Sequence, residues 1–328
     1  MLRPLLCLLA ALPVAAAAQQ IQEWKVPWEN TRPRDPSVAP DGRVWFVGQR
    51  DNYLGRFDPE SEQFQRFELP EGTRPHTVVV DAKGQPWVAG NGNGTLLRYT
   101  ASGVLQQTIT VPPVDSGLPS DPHTLAFDGR GGLWFSLQNG NAIGHLDAAG
   151  SLRTVKVPSP QARPYGIVAT PAGDAWAVLF GIGKLAFVSR ADMALREIEL
   201  PRELARPRRI GLDAQGGVWY VDFAQDHLGR HDPASGETLE WPLTPRPALP
   251  YAMAMDDRGT PWLFLTGPKP NRVVPFDVKT GQLGQALTVP SGGQVVRHAA
   301  FHAPSRSIWF GTDANTLGRL ALDSANRP

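Results

Sequence analysis

Two histidines, His76 and His123, each stand directly after a proline, and Asp121 stands directly before the second of those prolines. A neutral imidazole accepts a proton at working pH, and a carboxylate can hold a metal ion that polarises a carbonyl. The trio therefore suits removal of a proton beside an ester. The expected roles are His123 as general base, His76 as a second catalytic group that orients substrate, and Asp121 as the metal ligand. Arginines gather in the same sequence context. Arg32, Arg34, Arg74, Arg163, Arg206, Arg208, Arg209 and Arg297 all lie within two residues of the equivalent repeat position, against three nearby acids, Asp35, Asp121 and Asp222. Guanidinium forks bind carboxylates and phosphates, so a small anionic or ester-bearing ligand is expected, bound by Arg34, Arg74, Tyr165, Arg208, Tyr251 and His298.

A repeat must bring these residues together. Tryptophans recur at Trp45, Trp87, Trp134, Trp176, Trp219, Trp262 and Trp309, at intervals of 42, 47, 42, 43, 43 and 47 residues. Twelve positions before each lies Pro33, Pro75, Pro122, Pro164, Pro207 or Pro250, with Arg297 in the seventh repeat. In the third repeat, turn residues separate four short runs: His123 to Asp128, Leu133 to Leu137, Ala142 to Leu146 and Leu152 to Val157. Four antiparallel strands, seven times over, predict an all-β, seven-bladed β-propeller. The last repeat ends near Leu320 without a fourth strand, while Ile21 to Pro27 (IQEWKVP) matches the fourth strands FQRFELP and LRTVKVP. The N-terminal strand is therefore expected to close the last blade and remove a free sheet edge. In each hairpin the strand after the proline and the returning tryptophan strand bring their ends to one rim of the channel. His145, His227 and His231 fall in outer strands or turns and are expected at the surface.

Met1, Leu2 and Arg3, the apolar run Leu5 to Leu12 and the alanines Ala15 to Ala18 read as a signal peptide, leaving 19–328 as a single propeller domain. Secretion or a periplasmic location follows as an expectation. Cys7, the one cysteine, falls within that leader, so no disulfide is expected. The chain carries 32 Lys and Arg, of which Arg3 lies in the leader, against 31 Asp and Glu. Bulk charge thus points to neither nucleic acid nor membrane, and a monomer is expected.

With the motifs RPHTVVVDAKGQPWVAG, DPHTLAFDGRGGLWFSL and RPYGIVATPAGDAWAVL laid out, the chain resembles the virginiamycin B lyase (streptogramin lyase) family over all seven repeats. The resemblance implies a magnesium-assisted carbon-oxygen lyase that opens the lactone of a cyclic depsipeptide by elimination. It also implies a site made of a histidine after one repeat proline, an acid and a histidine flanking the next, and a glutamate three residues past that repeat's tryptophan. The first three fall on His76, Asp121 and His123; the fourth falls on Leu137. Two alternatives stand beside the lyase: a non-catalytic periplasmic binding propeller with an arginine-rich mouth, and a lactone hydrolase of the gluconolactonase type.

Overall fold

The computed structural model describes residues 20–322; the proposed signal peptide lies outside them. The described chain forms seven antiparallel sheets and no helix. The first strands of the blades are Pro33–Val38, Pro75–Val80, Pro122–Phe127, Pro164–Ala169, Pro207–Leu212, Pro250–Met255 and Val296–His302. Each packs on the first strand of the next blade, and the last packs on the first, so the ring closes around a channel. In the third blade the strands Pro122–Phe127, Leu133–Leu137, Ala142–Leu146 and Leu152–Lys156 follow the predicted runs.

The repeat pattern has a packing cause. Seven apolar clusters occupy the seven blade junctions, and each repeat tryptophan packs on the following blade: Trp134 against Ala175 and Ala186, Trp219 against Met253 and Leu263, Trp309 against Val44 and Phe57. Large aromatics fill the wedge between twisted sheets. An aspartate six residues ahead of the tryptophan accepts its indole N–H in three blades, Asp81 from Trp87 at 3.3 Å, Asp213 from Trp219 at 2.9 Å and Asp256 from Trp262 at 3.1 Å. Where an aromatic follows the tryptophan, the third strand carries glycine opposite it. A Cβ on Gly144 would stand 2.1 Å from the ring of Phe135, and one on Gly55 would stand 2.4 Å from Phe46.

Ile21–Lys25 pairs with Thr316–Ala321 in register Ile21↔Leu320 to Lys25↔Thr316, which completes the seventh blade as expected. Trp24 stacks on Trp309 with ring centroids 5.6 Å apart. In the sixth blade the outer strand is broken into Gln282–Leu283 and Leu287–Thr288, against a third strand in which Pro275 offers no N–H.

Two sequence expectations change. His145 is fully buried, donates from Nε2 to the Asp128 carboxylate at 3.0 Å and lies against Trp134, and His231 is also buried, because the third strands face the neighbouring blade instead of solvent. In the seventh blade the turn between the first two strands is one residue longer, so Val296, not Arg297, occupies the proline position opposite Thr312. Arg297 thereby takes the place assigned to His298, and His298 drops one step down the channel.

Candidate functional site

Every blade shows a register irregularity within its first strand, at or just after the proline position. Regular strands alternate faces, whereas a bulge lets consecutive residues turn to the same side. Two stacked rings result. The upper ring holds Arg34, His76, His123, Tyr165, Arg208, Tyr251 and Arg297; the lower holds Asp35, Thr77, Thr124, Gly166, Arg209, Ala252 and His298.

The upper ring is closed by its own side chains. The rings of His76 and His123 lie 3.4 Å apart, His123 lies 4.1 Å from Tyr165, and the hydroxyls of Tyr165 and Tyr251 meet at 2.6 Å across the channel. Arg208 donates to the Tyr251 hydroxyl at 2.9 Å. Its guanidinium sits over Phe180, Phe223 and Tyr251 at 4.3, 4.3 and 4.4 Å, an aromatic box in which its Nε is buried without a partner. Burial alone would raise the Tyr251 hydroxyl, yet Arg208, Arg34 and Arg297 hold it at about 8.

The lower ring is organised by Asp35, whose backbone takes the left-handed conformation at φ 50°. Asp35 pairs with Arg34 at 2.9 Å and with Arg209 at 3.4 Å, and accepts the Thr77 hydroxyl at 2.7 Å. Against the cost of burial, the two guanidiniums hold this carboxyl well below the usual range. Sequence reading missed Asp35 as the hub because its partners come from blades one, two and five.

Hydrogen bonds assign the His76 imidazole. Thr77 has one proton and faces two acceptors, Asp35 and the His123 carbonyl, both at 2.7 Å, so His76 Nδ1 must donate to the Thr77 hydroxyl at 3.2 Å. His76 thus keeps a lone pair on Nε2. The Thr124 hydroxyl accepts from Arg209 at 3.4 Å and lies 3.0 Å from His123 Nδ1; with two lone pairs it can accept from that nitrogen as well as donate to it. Burial, then neighbouring positive charge for His76 and the neighbouring imidazole for His123, pushes both far below the ordinary histidine value, so both are neutral.

Asp121 lies apart from the histidines' polar network. Its Oδ2 accepts the Asn139 backbone N–H at 2.8 Å and side-chain amide at 2.9 Å, and its Oδ1 accepts the Gly140 N–H at 2.9 Å. Leu137 lies opposite Pro122 and is fully buried with Phe135 and Leu96. The same register position in the fifth blade is Asp222, which accepts the Arg206 N–H at 2.9 Å and pairs with Arg202 at 2.8 Å. Magnesium requires several converging oxygens. Among the described residues no three His, Cys, Asp or Glu side chains gather to hold a metal, and this donor set does not fit one.

Of the eight arginines, Arg34 and Arg209 share Asp35, while Arg32 and Arg297 share Asp313 at 3.4 and 2.8 Å. Among the described residues no carboxylate lies within ion-pair distance of Arg74, Arg163, Arg206 or Arg208, all placed at the proline end of the channel.

The fold and the two channel rings define a seven-bladed propeller with a polar channel plug. The virginiamycin B lyase family model matches residues 19–320, and the chain belongs to that family. A virginiamycin B lyase from Nocardia farcinica (strain IFM 10152) is 30% identical over 154 residues, 47% of this chain; the match spans only 50% of that relative's length. A streptogramin B lyase structure superposes with a TM-score of 0.82 at 21% identity, covering 93% of this chain and 98% of its own. A catalytically inactive histidine-to-alanine variant of virginiamycin B lyase from Staphylococcus aureus, with quinupristin, gives 0.82 at 20% identity, covering 93% and 100%. These structural likenesses establish the shared fold.

Proposed function

We propose that the channel mouth is a small-molecule site that recognises an anionic group, a binding function carried on a lyase-family scaffold. The observation that carries it is Arg208, boxed by three aromatic rings and without a carboxylate partner, with Arg74, Arg163 and Arg206 at the same end of the channel. A guanidinium held rigid by stacking loses little freedom when it forks onto a carboxylate or phosphate. The test is calorimetry with acetate, phosphate and quinupristin at two ionic strengths. Anion affinity is expected to fall as salt rises and to drop about tenfold or more in Arg208→Ala. Binding indifferent to both would refute the reading.

The histidine pair and the family membership favour a second reading, in which the site opens a lactone by elimination. An imidazole Nε2 removes the proton from the carbon next to the one bearing the ester oxygen. Those electrons form the new C=C bond as the C–O bond breaks and the carboxylate leaves. His76 presents a lone pair as the hydrogen bonds stand; His123, the base expected from sequence, does so when its Nδ1 donates to the Thr124 hydroxyl. Arg208 and Tyr251 would meet the developing negative charge without a metal. Elimination yields an isomer of the substrate, whereas hydrolysis adds a water, so the product's mass separates lyase from lactonase. On this reading His123→Ala abolishes turnover, and unchanged quinupristin with wild-type protein excludes it for that substrate.

A further inference from the structure

Below the two rings the channel holds a cavity of about 330 Å³ that the mouth site does not use. Its walls are apolar, including Leu125, Ile167, Met253, Met255 and Phe301, and its ceiling is polar: Thr124, Arg209 and His298. An apolar pocket of a few hundred Å³ with a few placed polar groups is the usual form of a small-molecule site. Flexible methionines adapt such a wall to chains of different shape.

Two features of the ceiling point to a ligand head group. His298 Nδ1 is buried and has no hydrogen-bond partner. Arg209 donates well only to the Arg297 carbonyl, at 2.8 Å; its contacts to Thr124 and Asp35 are both at 3.4 Å, so the outer edge of its guanidinium is weakly engaged. Charge supports the same conclusion. Arg34 and Arg209 are both buried and share the single carboxylate of Asp35, which leaves one positive charge in excess out of water. An uncompensated buried charge is costly unless an anion approaches it.

We propose that this lower cavity binds an aliphatic monocarboxylic acid, its carboxylate at Arg209 and His298 and its tail along the apolar wall. The site is separated from the mouth by the plug of the two rings, so it stands or falls independently of the mouth's function. The experiment is calorimetry on the full mature chain with octanoate, using acetate and octanol as probes that each keep one half of the ligand. Octanoate is expected to bind at least about tenfold more tightly than either, and His298→Ala or Arg209→Gln to weaken it about tenfold. Arg208→Ala, at the mouth, should leave the tight octanoate phase unchanged and remove only the weaker carboxylate binding that acetate shares. In the wild type, octanoate should also shift the ¹⁵N resonance of His298 Nδ1, a readout that needs no variant. Absence of a tight octanoate phase, an unmoved His298 resonance, or loss of the tight phase in Arg208→Ala would each overturn the proposal.

Discussion

At the scale of single residues, the channel plug makes ionisation its most measurable property. Tyr251 is held at about 8 although burial opposes its ionisation, because Arg208, Arg34 and Arg297 favour the phenolate. One tyrosine should therefore titrate by ultraviolet absorbance near pH 8, and Arg208→Met should move that transition upward; a protein in which every tyrosine titrates at its ordinary value would contradict the network. The histidines give the opposite test. In the folded chain His76, His123 and His298 stay neutral far below 6.5, with burial pushing His298 to about 3. The unfolded chain takes up protons on these rings below about pH 6.5 and the folded chain does not, so their contribution is fully present above that pH and is lost as pH falls. The melting temperature should drop between pH 7 and pH 4, and His298→Asn should flatten part of that slope.

At the scale of the strand and hairpin, the proline and the residue three past the tryptophan do meet, as Pro122 and Leu137 show, but meeting at one end of a hairpin does not fix the direction of a side chain. Leu137 is packed in the junction with Ala89 and Leu96. Leu137→Glu should therefore cost about 3 kcal/mol or more, as a charge placed in an apolar core, and magnesium should not raise its melting temperature. A magnesium-dependent gain in that variant would instead reveal an oxygen set reaching the mouth. The bulge explains more of the site than the proline does. Without the register irregularity in each first strand, His76 and Thr77, or Arg208 and Arg209, would point to opposite faces and the two rings would not form.

At the scale of the whole molecule, the ring is held shut by a strand from its beginning. Removing residues 20–27 exposes the edge Thr316–Ala321 and uncovers Trp309, so the entire propeller should lose stability in one transition. Trp24→Ala should cost about 2 kcal/mol and lower the melting temperature by about 5 °C; a variant that melts with the wild type would mean that the closure is not under load. The tryptophan and proline spacing was enough to give seven blades, the strands of the third repeat to within one residue at each end and the closing strand, because those features repeat locally along the chain and a regular pattern survives being read one residue at a time. It also brought His76, His123, Tyr165, Arg208 and Tyr251 to one ring, since each holds the same register position. What lay beyond it were the pairings across the channel: Asp35 with Arg209, 174 residues apart, and Tyr165 with Tyr251. It also misplaced His298 by one step, because an extra turn residue shifts the seventh blade. Repetition fixes where a residue stands in its own blade, but which charge meets which across the channel depends on the closing of the ring, and only the tertiary structure decides that.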